Sequence, residues 1–139
     1  MTLPVSSADK LQLSETRATT VDFRLTRDRR MSSALYRETF SIERSFPGRL
    51  LVLFVRLAPD ADRRLGVVTS RRTLPEATMR NRARRLMRET FRLNRAFLRS
   101  DVDVLLLARG RIEHVKRQKV DEDFRAVCRK AGIWRENPC

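Results

Sequence analysis

Residues 65–99 decide the fold, and they read LGVVTSRRTLPEATMRNRARRLMRETFRLNRAFLR. The first six, 65–70, form a short β-branched run that predicts a strand. Thr73 followed three residues later by Glu76 has the form of a capping box, so a long helix is predicted to begin there. Apolar residues then recur with a period of 3.6 residues, which predicts an amphipathic helix over 77–99.

Turn residues and apolar patterns on both sides of this stretch predict the other elements. They are a short helix with Ser32 or Ser33 as its N-cap, strands at about 41–46, 49–57 and 102–108, and an amphipathic helix from Val120 to Ala131 stopped by Gly132. The short Pro/Asp connection after residue 57 predicts an antiparallel hairpin between the strands at 49–57 and 65–70. The simplest architecture that accommodates these elements is α+β, with one sheet of about four strands, three helices and the chain order αβββαβα.

Length and charge limit the classes of protein to which the chain can belong. Its 139 residues carry 31 Lys+Arg against 17 Asp+Glu, a formal charge of +14, yet 41% are hydrophobic, which suffices for one packed domain. We expect that domain at 23–135, a mobile polar extension at 1–22 and a tail at 136–139. No apolar run approaches the ~20 residues of a membrane helix and no secretory signal is visible, so no membrane partner is expected and a cytoplasmic location is predicted.

The predicted long helix is strongly basic along one side. Residues 80–99 contain eight arginines and a single acid, Glu89. Five of the arginines follow helical rows and should share one stripe: Arg84, Arg88, Arg92, Arg95 and Arg99. Like charges spaced this way repel, and a polyanion such as nucleic acid relieves the repulsion. A solvated helix face is the structural alternative.

The sequence offers little for protein-based catalysis. The only histidine, His114, is predicted in a loop, and the acids show no metal-ligand spacing. Asp103 is expected to face solvent at the start of a strand, whereas Cys128 is expected in the core of the last helix. A disulfide between Cys128 and Cys139 is possible, but reduced thiols are favoured. We therefore expect no catalytic residue and no metal site in the chain itself.

Two segments, RRLGVVTSRR (63–72) and MRNRARRLMRETFRLNR (79–95), carry a distinctive pattern, and the second contains Arg80-Asn81-Arg82. Together they resemble the bacterial ribonuclease P protein family, whose helix signature has an Arg-Asn-Arg core. Tyr36-x-x-Thr39-Phe40 resembles the family's first-helix aromatic pair, and VDVLLLARG (102–110) its strand ending in Ala-Arg. The resemblance covers about residues 25–134. The connection over 73–79 departs from it, being one residue longer and lacking a glycine turn.

The resemblance implies a ribosomal-protein-S5-domain-2-like fold with a left-handed βαβ crossover. It also implies an RNA-binding subunit of the ribonuclease P holoenzyme, whose catalytic RNA removes the 5′ leader of precursor tRNA with Mg²⁺ held mainly by that RNA. The partners would be the catalytic RNA and precursor tRNA. Carried over by position, the residues contacting catalytic RNA would be Arg80, Asn81, Arg82 and Arg85, and those of the leader cleft Tyr36, Phe40, Phe54, Arg84 and Arg88.

Aromatic side chains in the implied cleft agree with general physics, because rings stack on unpaired bases without requiring a particular sequence. Tyr36, with its polar tip, is expected to be the exposed stacking platform, while core packing remains an equal alternative for Phe40 and Phe54.

Two other functions are compatible with the sequence. A ribosome-associated RNA-binding protein would share the charge but need no leader cleft. A DNA-binding regulator is disfavoured, because the helix has few Asn or Gln base readers and no helix-turn-helix spacing precedes it.

Overall fold

Three helices and a four-stranded mixed sheet form the fold of the computed structural model, which describes residues 26–41 and 44–136. The elements are α1 (Ser33–Ser41), β1 (Ser45–Pro47), β2 (Leu51–Leu57), β3 (Leu65–Val68), α2 (Ala77–Asn94), β4 (Val102–Ala108) and α3 (Arg117–Ala131). Short 3₁₀ helices occupy Arg27–Arg29, Arg95–Phe97 and Gly110–His114. The α+β class is confirmed. The extension at 1–22 and Cys139 lie outside the described residues, and the crossover's handedness and the S5-like comparison stay predictions.

The spatial order of the strands is β1-β2-β4-β3. The predicted hairpin between β2 and β3 is therefore wrong: β4 lies between them, antiparallel to β2 and parallel to β3. The loop after β2 bonds to the start of β4, because Ala58 N–H donates to the Asp101 carbonyl and Arg63 N–H to the Val102 carbonyl. The loop therefore crosses the end of β4, and β3 pairs with β4 on the side opposite β2.

Helix α2 begins later than the capping-box pattern predicts. Thr73 instead belongs to a turn in which its hydroxyl pairs with that of Ser70 at 2.5 Å. Buried Leu74 follows, donating its N–H to the Ser70 carbonyl. The helix begins at Ala77, and its N-cap residue Glu76 makes no side-chain cap bond. The predicted start at Thr73 is wrong because the Thr73 hydroxyl bonds to the Ser70 hydroxyl in place of capping the helix.

The two faces of the sheet pack against different helices. On one face, Leu51, Leu53 and Val55 of β2 belong to the main hydrophobic core. Helices α2 and α3 close this core with Ala83, Met87, Phe91, Val120, Phe124, Val127 and Cys128. The alternate residues of β2 face α1 on the opposite side, as the period-2 geometry of a strand requires.

Helix α3 also organises the turn between β1 and β2. The Asp123 carboxylate accepts from the backbone N–H groups of Arg49, Leu50 and Leu51 at 3.0 to 3.3 Å. A Cβ at Gly48 would lie 2.4 Å from an Asp123 carboxylate oxygen. This turn therefore requires glycine at residue 48, because the backbone there approaches the Asp123 carboxylate closely.

No helix among residues 26–41 and 44–136 is long and apolar enough to cross a membrane.

Candidate nucleic-acid interface

Helix α1 is held against the edge strand β3 by Tyr36. The Tyr36 hydroxyl accepts from the Val67 N–H and donates to the Val67 carbonyl. Its ring lies directly on Gly66, where an added Cβ would come within 2.9 Å of a ring carbon and of the Met31 sulfur. Tyr36 is consequently half-buried. The expectation that Tyr36 is the exposed platform is wrong, because its polar tip finds a backbone partner.

Phe40 is the exposed ring of this surface. It is 41% exposed, more than any other large hydrophobic side chain in the described part of the chain. Its ring meets Phe54 edge to face, with centroids 5.0 Å apart and planes at 66°. Phe54 comes from the α1-facing side of β2, where it pairs with Leu105 of β4. Phe40, Phe54 and Tyr36 thus share one side of the sheet, as the resemblance implies.

A concavity of about 680 Å³ has two of its lining residues, Val52 and Leu107, on the strands that carry Phe54 and its partner Leu105. Its floor includes Val52 and Leu107, which face each other in the β2–β4 pairing one same-face step beyond Phe54 and Leu105. The remaining lining residues are Ala108 and Gly110, the hydroxyl residues Ser70 and Thr73, and the cations Arg109 and Arg111. We call the aromatic rings and this concavity together the sheet groove. It combines an apolar floor with a partly cationic rim.

The Arg-Asn-Arg segment opens α2, and both of its arginines bond to carbonyls. Arg80 donates to the carbonyls of Leu74 and Pro75 at 3.0 and 2.8 Å. Arg82 donates to three carbonyls at the end of the 3₁₀ helix that follows β4, those of Ile112, Glu113 and Val115. The Asn81 side chain accepts from Arg84 at 2.7 Å. Much of this segment's donor capacity therefore stabilises the loops on either side of the helix.

Arg85 and Arg88 are exposed, and neither has a hydrogen bond or ion pair within the described ranges. Their helix packs on the sheet face opposite α1. Among the residues that the structure describes, no hydrogen bond, ion pair or cation–π contact joins Arg84 or Arg88 to the groove aromatics. The structure thus does not bring these two arginines together with the rings.

The five-arginine stripe predicted from the sequence does not form. Arg92 bonds to Glu89, holding the pKa of that carboxyl below its usual range. Arg99 lies beyond the helix and pairs with Asp101 at 2.9 Å. Arg95 is buried, donating to backbone carbonyls of the β2–β3 loop. The helix ends at Asn94, so the rows cannot continue through residue 99.

A buried ion network under α1 was missed by the sequence analysis. Asp103 is fully buried and accepts from Arg56 at 3.1 Å and from Arg64 at 3.0 Å, so its predicted solvent-facing position is wrong. Arg56 also bonds Glu38 of α1 at 2.5 Å, and this bond raises the pKa of Arg56. The network ties α1 to the sheet. The sequence did carry a signal for this network, because each of two apolar strands contains a single charged residue, Arg56 in β2 and Asp103 in β4.

Other titratable groups offer no assembled site. Within the described ranges, no three His, Cys, Asp or Glu side chains are grouped so that they could hold a metal ion. His114 is exposed, 3.7 Å from Glu113. Cys128 is a buried free thiol whose pKa is raised by desolvation.

Comparison of this chain with known proteins shows the family to which it belongs. The family model described as Ribonuclease P matches residues 25–132. The chain belongs to the ribonuclease P protein family. The ribonuclease P protein component of Clostridium kluyveri is 29% identical over 105 residues, covering 74% of this chain and 93% of that protein. That of Dictyoglomus thermophilum is 29% identical over 99 residues, covering 70% and 77%.

Solved ribonuclease P proteins share the fold. The Thermotoga maritima protein superposes with a TM-score of 0.62 at 25% identity, covering 72% of this chain and 96% of that one. A Staphylococcus aureus structure gives 0.64 at 21% identity, covering 75% and 94%. As a ribonuclease P protein, this chain is part of a tRNA-processing endoribonuclease and works with the ribonuclease P RNA.

Proposed function

We propose that this ribonuclease P protein holds the single-stranded 5′ leader of precursor tRNA in the sheet groove. The observation that carries the proposal is the exposed Phe40 ring, set edge to face on Phe54, whose strand also contributes Val52 to the apolar floor of the concavity. Aromatic faces stack on unpaired bases, contributing about 1–3 kcal/mol per base, without selecting a sequence. Leaders differ among precursors, so a sequence-tolerant groove suits them. Arg109 and Arg111 on its rim supply charge for the phosphates.

The contact with catalytic RNA is proposed for the N-terminal half of α2. Arg85 has free donors for phosphates, whereas Arg80 and Arg82 fix the loops beside the helix and Asn81 orients Arg84. Arg84 and Arg88 remain the proposed border of the leader path. Strand β3 is the sheet edge with α1 on one face and α2 on the other, so an RNA bent around this edge reaches both sets of residues.

Bond cleavage in this proposal belongs to the RNA. Mg²⁺ held mainly by the catalytic RNA supplies the activation of the attacking water. The protein contributes substrate affinity and offsets repulsion between two polyanions. A cytoplasmic location accompanies this role.

Reconstitution tests the proposal. The full chain and catalytic RNA are combined at low Mg²⁺, and affinities are measured for precursor tRNA and for mature tRNA lacking the leader. We expect Phe40→Ala to weaken precursor binding about fivefold or more, by loss of one stacking contact, and to leave mature tRNA unchanged. Phe40→Leu is the matched variant, since it keeps apolar volume but loses the ring. Equal wild-type affinity for the two RNAs would instead favour a ribosome-associated role.

A further inference from the structure

Helices α2 and α3 lie side by side and run in the same direction. Arg82 of α2 donates to the Val115 carbonyl, two residues before α3 begins. Farther along both helices, the Asn94 side chain bonds to Asp121 and Arg125 of α3. Contacts that advance together along the two helices define a parallel pair. The N-terminal turns of α2 and α3 therefore lie at the same end of this helical layer.

The start of α3 brings two cations to that end. Lys116 is the N-cap residue and Arg117 the first residue of the helix, and neither side chain makes a hydrogen bond or ion pair within the described ranges. The hydrogen bond from Arg92, and then the charge of Arg117, lower the pKa of Glu89, so Arg117 lies near that carboxylate. Exposed Arg85 is one helical turn from Glu89. We call Arg85, Lys116 and Arg117 together the helix-end patch.

The acids around the helix-end patch interact with other cations. Their partners are Arg92 for Glu89, His114 at 3.7 Å for Glu113, Arg125 at 3.1 Å for Asp121 and Lys119 at 3.9 Å for Glu122. In the part of the chain that the structure describes, no ion pair reaches any of the three patch residues. Their charges therefore have no counter-ion of their own and repel one another.

Two of these cations also stand where a helix disfavours them. The N-terminus of a helix carries a partial positive charge, which attracts acids and repels Lys and Arg. Helix α3 has no acid in its first turn, and its N-cap residue Lys116 makes no side-chain cap bond. The charges of Lys116 and Arg117 therefore do not serve the stability of the helix. They are available to a polyanion.

The helix-end patch lacks the rings that would bind a single strand. Phe91 and Phe124 are the aromatic residues of α2 and α3, and both are fully buried. The exposed Phe40 ring lies across the sheet on α1. Single-stranded RNA is bound largely by stacking of its bases on aromatic rings, whereas double-helical RNA is contacted through phosphates and 2′-hydroxyls. A cationic surface without rings therefore fits the backbone of double-helical RNA.

We propose that the helix-end patch binds the backbone of a double-helical segment of the catalytic RNA. The inference rests on the proposed function in one respect, since it extends the Arg85 contact with catalytic RNA to a second helix, α3. The two sides of the sheet then separate RNA by its form. The sheet groove takes the single-stranded leader, and the helical layer takes a duplex.

Model RNAs test the preference for a duplex. Binding of the full chain to a short labelled RNA duplex and to a labelled oligouridine is followed by fluorescence anisotropy at several salt concentrations. The double variant Lys116→Gln/Arg117→Gln removes two patch charges. Its matched control is Lys130→Gln/Arg135→Gln, which removes one exposed Lys and one exposed Arg at the other end of α3, about 21 Å along the helix axis.

We expect the log–log salt slope for the duplex to fall by about 1.8 in the patch variant, since each lost phosphate contact lowers it by about 0.9. The control should keep the wild-type slope. Oligouridine affinity should be unchanged in the patch variant and should fall in Phe40→Leu. An unchanged duplex slope in the patch variant, or an equal loss of affinity for duplex and oligouridine, overturns the proposal.

Folding of the patch variant is checked by urea denaturation. Replacing cations at a helix start relieves an unfavourable charge, so we expect no loss of stability. Arg85→Gln is a second variant, on the other helix, and should lower the duplex slope by about 0.9. A normal slope in Arg85→Gln contradicts the inclusion of α2 in the patch.

A last measurement identifies the source of the duplex, because tRNA also contains double-helical segments. The salt dependence of binding is compared for catalytic RNA and for mature tRNA with the patch variant and its control. A reduced slope with catalytic RNA supports the assignment to that RNA, and a reduced slope with mature tRNA alone overturns it. Leader binding is scored separately by precursor and mature tRNA with Phe40 variants, so the two proposals can fail independently.

Discussion

The Tyr36 hydroxyl makes two hydrogen bonds to one residue, accepting from the Val67 N–H at 2.9 Å and donating to the Val67 carbonyl at 3.3 Å. It thereby occupies both backbone groups of an edge-strand residue, as a neighbouring strand would. The aromatic side of α1 is fixed to the sheet through this contact, and the exposed Phe40 ring is presented from the same helix. If the proposed function holds, Tyr36 therefore contributes both to stability and to the leader-binding surface.

Substitutions at Tyr36 should separate these two roles. Tyr36→Phe keeps the ring but leaves Val67 without its partner, so we expect a loss of about 1–2 kcal/mol in the free energy of unfolding. Tyr36→Ala also removes the ring and should lower precursor affinity more than mature-tRNA affinity. Urea denaturation and binding of both RNAs provide the measurements. An equal effect of Tyr36→Ala on both RNAs would remove Tyr36 from the groove.

Two arginines three residues apart in α2 should behave differently. Arg82→Ala deprives three loop carbonyls of their donor, and we expect a loss of about 1–3 kcal/mol in unfolding free energy. Arg85→Ala should change stability by less than about 0.5 kcal/mol, because this exposed side chain has no described partner. In assembly with catalytic RNA, Arg85→Ala should lower the log–log salt slope by about 0.9. An unchanged slope for Arg85→Ala would contradict its proposed RNA contact.

The buried network at Asp103 should be essential for stability. Asp103→Asn removes the central carboxylate charge between Arg56 and Arg64, and we expect a loss of about 3–5 kcal/mol. Asp101→Asn is the control in the same segment. Asp101 pairs with Arg99 while both side chains are 45% exposed, so its loss should stay below about 1 kcal/mol. Thermal and urea unfolding compare them; similar losses would contradict a special role for Asp103.

Glu89 should make stability depend on pH on the acidic side. Its hydrogen bond from Arg92 lowers its pKa below the ordinary value of 4.5. A lowered folded-state pKa means that the stabilisation is present above 4.5 and is lost as the pH falls through the folded-state value. Glu89→Gln should therefore be less stable than wild type at neutral pH, with the gap closing in acid. A gap that is constant from neutral to acidic pH would contradict this linkage.

The α+β class and the main elements follow from patterns within single segments. The strand Val102–Ala108 and the stop of α3 at Gly132 were predicted where they occur, since an apolar run and a helix-ending glycine are local signals. The pairing of β2 with β4 was not predicted. Strand partners depend on contacts between distant segments, and here the loop bonds of Ala58 and Arg63 to the start of β4 outweigh the preference for a short hairpin.

The same limit applies to the interface. The resemblance identified Tyr36, Phe40 and Phe54, and these residues do lie on one side of the sheet. Their relative exposure could not be predicted, because it depends on the Val67 backbone reaching the Tyr36 hydroxyl. The burial of Arg95 likewise requires knowing where α2 ends. Helical spacing alone extends the arginine stripe past Asn94, where the helix has already stopped.

Val102–Ala108, one of the two interior strands of the sheet, is also the last of the described strands to leave the ribosome. Until it emerges, Leu51–Leu57 and Leu65–Val68 have no common partner, and the sheet surface beneath Phe40 cannot exist. Such distant pairing makes sheet formation a late event in synthesis. A nascent chain would thus expose its arginine-rich helix before the groove forms. It could therefore bind polyanions before it could discriminate among them.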